Sequence, residues 1–170
     1  EEFMTAIVNV SENWGIGYEN RLLFSISADL RHFRALTSGK TVVYGRKTLS
    51  TFPNQQPLKH RRNIIMSTDY HFAPEGAEVC RSFTELLARL RELPSEEIFV
   101  IGGGSIYWRL LPYCSHALVT KTLKTFPADR YFPDLDHAEN WRLEREGDIE
   151  EEDGISFQFL DYVNLSVRPL

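Results

Sequence analysis

Cysteine is almost absent. Cys80 and Cys114 are the only two, 34 positions apart and without a C-x-x-C spacing. That argues against a disulfide framework and for two reduced thiols in a cytoplasmic protein. The five histidines (His32, His60, His71, His116 and His137) keep no metal-ligand spacing, so no metal site is expected. No apolar run is long enough to span a bilayer, and the N-terminus lacks a basic region followed by an apolar one. Neither a membrane partner nor a leader is therefore expected. Positive charge is in deficit, 19 Lys and Arg against 24 Asp and Glu, a net charge of −5, which argues against nucleic acid as a partner. No linker, repeat or low-complexity run divides the chain. What remains is 170 residues, 42% hydrophobic and 25% charged, suited to one globular domain over residues 1–170 with a substantial core. The "EEF" ahead of Met4 reads equally as native chain or as an added extension.

Hydrophobic periodicity predicts strands and helices in alternation. "MTAIVNV" reads as a buried strand, and the glycine-punctuated "SENWGIGYEN" after it as a long loop. Ser27 is placed to cap a helix running to about Leu36. "KTVVYG" is a second strand, "RKTLSTF" a helix ended by Pro53, "RNIIMS" a third strand and "AEVC" a short fourth. "FTELLARLREL" repeats leucine at helical spacing, with Ser82 or Thr84 as cap and Pro94 as stop. "EIFVIGGG" has the near-continuous apolar character of a strand covered on both faces. "SIYWRLL" follows as a helix and "HALVTKT" as a strand. In "ISFQFLDYV", Ile155, Phe157 and Phe159 alternate like a half-buried antiparallel strand. The fold class is α/β with a mixed sheet.

Three places concentrate chemistry. The first is "LLFSISADLRHF", residues 22–33, whose single carboxylate is Asp29. Wound as a helix at about 100° per residue with Asp29 at zero, Leu36 falls near 340°, Phe33 near 40°, Thr37 near 80° and Leu30 near 100° on this approximate wheel. Arg31, His32 and Arg34 lie outside that arc, so the acid sits within the apolar stripe. A first-turn acid complementing the helix dipole is the plain explanation. The inward azimuth favours another, because a buried carboxylate must pair with a cation or hold a proton, and the latter is what proton delivery uses.

The second is "YGRKT", where Arg46, Lys47 and the Thr48 hydroxyl gather at a predicted helix start, with Ser67 and Thr68 at the end of the next strand. A solvated basic turn would look the same, but cations and hydroxyls beyond strand ends also make a phosphate cradle. The third is "VIGGGSIYWRLL", where three glycines between a strand and a helix clear the turn of side chains and let a ligand approach the backbone. A tight connection usually needs only one glycine. The stretch is not the dinucleotide fingerprint, since Tyr107 stands where a glycine belongs.

Taken in order, "NWGIGYEN", Asp29 with Leu30, Phe33 and Thr37, "VVYGRKT", "PLKHRRNIIMS", "VIGGGSIY", "LVTK" and "DRYFP" resemble dihydrofolate reductases over nearly the whole chain. Each motif alone is weak, whereas their order and spacing together are specific. The resemblance implies a single domain with a central mixed eight-stranded sheet, about four flanking helices and closing antiparallel strands. It implies NADPH-dependent reduction of dihydrofolate to tetrahydrofolate for one-carbon metabolism, in a cytoplasmic monomer that also binds antifolate inhibitors. By the same resemblance, Asp29 binds the pterin and supports protonation of its N5. Ile7, Leu30, Phe33, Leu58, Ile101 and Thr120 frame the substrate, and Arg61 grips the α-carboxylate of its glutamate. Gly45, Arg46, Lys47, Thr48, Ser67, Thr68 and Arg81 hold the phosphate-bearing end of the cofactor. Gly102, Gly103, Gly104, Ser105, Ile106 and Tyr107 line its pyrophosphate and nicotinamide, with Val8, Ile16, Asn20 and Ile101 also against it. The loop from about Gly15 to Phe24 would close over the nicotinamide.

The sequence departs from the common pattern at several positions. Leu23, Phe24 and Ser27 replace a Pro-Trp pair and a second proline, which should loosen the loop. Asn9 replaces a small apolar residue, and Ser105 a frequently basic one. Two alternatives share parts of this reading. A riboflavin-pathway pyrimidine reductase of the same fold needs neither an inward acid at 29 nor a clamp at Arg61. A silent ligand-binding relative would have no reason to keep the full set.

Overall fold

Apolar residues at every other position, repeated in strand after strand, force side chains onto both faces of one sheet. The computed structural model describes residues 3–19, 21–23 and 26–170. Its strands are β1 (Met4–Val10), β2 (Gly15–Tyr18), β3 (Arg21–Leu22), β4 (Thr41–Gly45), β5 (Arg62–Met66), β6 (Glu78–Cys80), β7 (Ile98–Gly102), β8 (Cys114–Thr122), β9 (Arg130–Tyr131), β10 (Trp141–Glu146), β11 (Glu150–Glu152) and β12 (Ile155–Asn164). Its helices are α1 (Ser27–Thr37), α2 (Arg46–Leu49), α3 (Phe83–Arg91) and α4 (Gly104–Leu110). The main sheet runs β10-β12-β8-β1-β7-β4-β5-β6, the eight strands expected, with β11 added on β12 as a ninth. Pairing is parallel from β8 to β6 and antiparallel at β12 and β10.

The two faces carry different helices. Val43, Ile64 and Val100 pack with Leu86 and Leu90 of α3 and Ile106 and Leu110 of α4. Val42, Tyr44 and Ile65, one residue out of step, pack with Leu49 of α2 on the opposite face. The second face also receives α1, through Asp29 on Asn9 and His32 against Phe159 at 4.4 Å between ring centres. Cys80 and Cys114 are free and fully buried, and burial pushes both thiols above their ordinary range.

Several expectations need correction. The segment expected as a loop after β1 contains β2, which pairs with β3 just beyond it and with β9 in a separate three-stranded sheet. The partner β9 lies over a hundred residues on, beyond the reach of local pattern. Trp14 anchors this segment, buried between Phe132 and Tyr162. At Gly15 an added Cβ would lie 2.7 Å from the Cβ of Ala128, so glycine is required by close packing there.

Helix α2 spans 4 residues and does not reach Phe52. The Ser50 and Thr51 hydroxyls donate to the Lys47 and Thr48 carbonyls, each at 2.7 Å, and this local bonding competes with continuation of the helix. Strand β12 is covered on both faces and is not half-buried, since Phe157 on one face and Leu160 and Tyr162 on the other are all buried.

Ser27 is the first helical residue of α1 and not its cap; Ile26 holds the cap position and offers no side-chain bond. The work falls to Glu152 of β11, whose carboxylate accepts from the Ser27 N–H at 2.7 Å and the Ala28 N–H at 3.1 Å. A negative charge on otherwise unpaired donors at the positive end of a helix is favourable. Glu152→Ala should therefore destabilise the fold by about 1 kcal/mol. Urea denaturation would read this as a lower midpoint at unchanged slope, and an unshifted midpoint would mean that water caps the helix as well as Glu152 does.

Candidate active site

The sheet and α1 leave between them a cavity of about 370 Å³, within the size range of small-molecule sites. Asp29 sits in the first turn of α1 and reaches its wall. Its two oxygens go to two different strands. Thr120 of β8 donates to Oδ1 at 2.6 Å, and the Asn9 amide of β1 donates to Oδ2 at 2.9 Å. Asn9 and Thr120 are direct register partners in the parallel β1–β8 pair, so the strands themselves set the spacing of the two donors. Both partners are neutral. Cation pairing, one of the two outcomes weighed for an inward acid, is not what these contacts provide.

Asp29 is the only carboxylate among the described residues lining the cavity. Arg21, Arg34, Lys47, Arg61 and Arg130 line it too, so the wall carries five cations against one acid. Such a surface suits a polyanionic ligand that also presents one hydrogen-bond-donating edge. Sequence reading found Lys47 and Arg61 but missed Arg21, Arg34 and Arg130. Leu30 faces the same space and is 54% exposed; an apolar side chain left uncovered at a cavity wall is a ligand surface.

Arg61 is held by the fold and does not hang in solvent. Its Nη1 donates to the Thr37 hydroxyl at 3.0 Å, its Nε to the Lys59 carbonyl at 2.9 Å, and its guanidinium lies 5.9 Å from the centre of the Phe33 ring. Burial, and after it the neighbouring charge of Arg34, lowers this guanidinium from its ordinary value. An anion would relieve both effects. Thr37 is fully buried and donates back to the Phe33 carbonyl at 2.8 Å.

Behind these residues stands Asn63. Its amide donates to the carbonyls of Leu58 and Arg61 while its oxygen accepts from the Leu58 N–H and the Tyr44 hydroxyl. The segment that carries Leu58 and Arg61 is thereby fixed to β5. A single asparagine in a strand gives no sequence signal for such a role.

At the other end of the cavity β7 runs into α4 through the three glycines. Gly102 has φ of 146°, and a Cβ on it would lie 3.1 Å from Thr48 Oγ1. A Cβ on Gly103 would lie 3.2 Å from the same oxygen. Only a bare backbone allows α2 and this turn to approach so closely. Ile7, Val8, Ile16, Ile101, Gly104 and Tyr107 complete this part of the wall. The Tyr107 hydroxyl donates to the Ile7 carbonyl at 2.6 Å, and burial, then the Asp29 charge, raises its pKa strongly.

The remaining expected residues lie outside the cavity wall. Gly45 backs the turn, where an added Cβ would sit 3.3 Å from Ile106. Ile106 points into the core and so offers a ligand its backbone only. Ser105 and Thr68 are exposed. Arg46, Ser67 and Arg81 converge on Asp69: Arg46 pairs with its carboxylate at 2.7 Å, the Ser67 hydroxyl accepts from its N–H at 3.2 Å, and Arg81 donates to its carbonyl. Hydrogen bonds from the His71 N–H and then from Arg46 hold the Asp69 carboxyl below its ordinary value. Asn20 and Phe24 lie outside the described residues.

The chain is similar to known proteins over most of its length. The family model described as dihydrofolate reductase matches residues 3–164. A Bacillus subtilis protein named dihydrofolate reductase is 34% identical over 151 residues, 86% of each chain. One of the same name from Neisseria gonorrhoeae is 32% identical over 161 residues, 94% of this chain and 97% of its own. A Salmonella typhimurium protein named dihydrofolate reductase type 3 is 37% identical over 131 residues, 77% and 78% of the two chains. On both grounds, a match over most of its length and relatives above 30% identity, this chain belongs to the dihydrofolate reductase family.

Proposed function

We propose that this chain reduces 7,8-dihydrofolate to 5,6,7,8-tetrahydrofolate, using NADPH, in the cytoplasm and in the service of one-carbon metabolism. The observation that carries the proposal is Asp29: one carboxylate in a cationic, largely apolar cavity, with an oxygen tied to each of two central strands. A carboxylate oxygen keeps lone pairs after accepting one bond, so Asp29 still offers acceptors to the donor edge of a pteridine. Leu30, Phe33, Leu58 and Ile101 supply flat apolar walls for the ring and its aryl extension. Arg61, preorganised by Thr37 and the Lys59 carbonyl, meets a carboxylate of the glutamate tail. The riboflavin-pathway alternative has no use for this pairing of Asp29 with Arg61, and the family match favours folate.

The residues present fit a nicotinamide dinucleotide phosphate. A pyrophosphate would sit beside Thr48 at the side-chain-free turn of Gly102 and Gly103, with Lys47 on the same wall, and Arg46, Ser67 and Arg81, gathered around Asp69 beyond the wall, would meet a further phosphate. The cofactor, when bound, supplies the hydride that C6 receives. Asp29 supports the proton needed at N5, and the loop from about Gly15 to Phe24 would close over the nicotinamide and exclude water.

Three measurements test this reading. Asp29→Asn keeps the shape of the side chain but cannot supply or stabilise a proton. Its hydride-transfer rate in stopped-flow should fall by about 100-fold or more at neutral pH and recover partly in acid, where solvent protonates the substrate. A wild-type rate with an unchanged pH profile would reduce Asp29 to a helix-start acid.

Arg61→Ala should raise KM for dihydrofolate about 10–100-fold, the loss of one charge-assisted pair. A pterin lacking the glutamate should be nearly indifferent, and equal losses for both substrates would sink the clamp. Arg46→Ala should weaken NADPH much more than NADH in fluorescence titrations, because the 2′-phosphate is what the extra cations would meet. Equal weakening of both cofactors would show that the cluster does not read that phosphate.

A further inference from the structure

Asn9 is the residue in the cavity that the family resemblance does not explain. It stands where a small apolar side chain is usual, yet it carries one of the two bonds to Asp29. Its amide cannot turn freely. The Thr122 hydroxyl, fully buried on β8, donates to Asn9 Oδ1 at 3.0 Å, and Asn9 Nδ2 faces Asp29 Oδ2 at 2.9 Å. The reversed amide would set its oxygen against a carboxylate oxygen, an unfavourable contact while Asp29 is ionised. Thr122, Asn9, Asp29 and Thr120 thus form one chain of hydrogen bonds that runs from β8 through β1 to α1 and back to β8. The terminal torsion of an aspartate is broad and roughly two-fold, so one bond leaves the carboxylate plane loose and two bonds from different strands fix it.

We infer that Asn9 is a positioning residue for the reduction, holding the plane of the Asp29 carboxylate through the donor bond from its Nδ2. The inference rests on the reading of Asp29 given above. Without the Asn9 amide, Oδ2 would lose its partner and the carboxylate would sample orientations that do not meet the substrate edge. The charged and titratable groups around the pair are Tyr107 on α4, Glu152 of β11 at the N-terminus of α1, and Arg21, Arg34, Lys47, Arg61 and Arg130 on the cavity wall.

The test uses the full chain with NADPH and dihydrofolate. Asn9→Leu, similar in size but without a donor, should lower kcat/KM for dihydrofolate about 10–100-fold, the scale of one buried bond to a charged group. NADPH affinity from fluorescence titration should stay within about threefold of wild type, a change too small to count as loss of the cofactor site. Asn9→Asp keeps the shape and replaces the donor by a second carboxyl. Its activity relative to wild type should be poorest in mild alkali and climb toward acid, where the introduced carboxyl carries a proton and donates as the amide did. A side chain that merely fills space would leave Asn9→Leu at wild-type kcat/KM across the pH range.

Wild-type kcat/KM in Asn9→Leu, with Asp29→Asn inactive, overturns the inference while the reading of Asp29 stands. A flat ratio for Asn9→Asp does the same, and carries the test alone if Asn9→Leu does not fold. Full activity in Asp29→Asn brings down both.

Discussion

Everything in the site depends on one arrangement: a carboxylate on a helix whose two oxygens are claimed by two neighbouring strands. Thr120 and Asn9 sit opposite each other across β8 and β1, and parallel pairing there is fixed over seven register partners. Helix α1 is held down at its N-terminus by Glu152 from the far end of the chain. Asp29 is therefore located by three independent pieces of backbone, and none of them is a loop. A group that must meet a substrate edge within a few tenths of an ångström gains most from supports of this kind.

Charge distribution follows the same economy. The molecule is acidic as a whole, with a net charge of −5, yet five cations line the cavity beside a single acid. Like charges on one wall repel, and the lowered pKa of Arg61 records that cost together with burial. The cluster around Asp69 behaves differently. There Asp69 already neutralises Arg46, which also lies 4.9 Å from the Phe72 ring centre, so a phosphate arriving at Arg46 has to displace or share that carboxylate.

What could be read from sequence was whatever leaves a local period. The strands β1, β4, β5, β7 and β8, the long helices and the inward azimuth of Asp29 all announce themselves that way. Leu30 shows how far the wheel reaches. It fell in the apolar arc, but it is exposed because the arc faces a cavity on that side. The missing pieces are non-local or locally ambiguous. Glu152 caps α1 from 125 residues away, β2 finds its partner in β9, and the Asn63 brace looks like any polar residue in a strand. Helix α2 was overestimated because Ser50 and Thr51 count as neutral in a helical pattern, while in place their hydroxyls close the turn.

The position of the cavity is itself a consequence of strand order. The chain leaves β4 for β5, outward along the sheet, but leaves β7 in the opposite direction, passing over β1 to reach β8. Right-handed crossovers in opposite directions must lie on opposite faces, which is why α2 packs on one side and α4 on the other. The connections part between the carboxyl ends of β4 and β7, and ligands of open α/β sheets bind at such points. Gly45 and Gly102 mark those two strand ends. Gly45 lets the first turn approach Ile106, and Gly102 lets the second approach Thr48. The glycine turn after β7 is thus placed by topology, whereas Asp29 is placed by the β1–β8 register. The turn and the carboxylate reach the same cavity because β1 and β7 are neighbours, and Ile7, Asn9 and Ile101 share the face that looks into it.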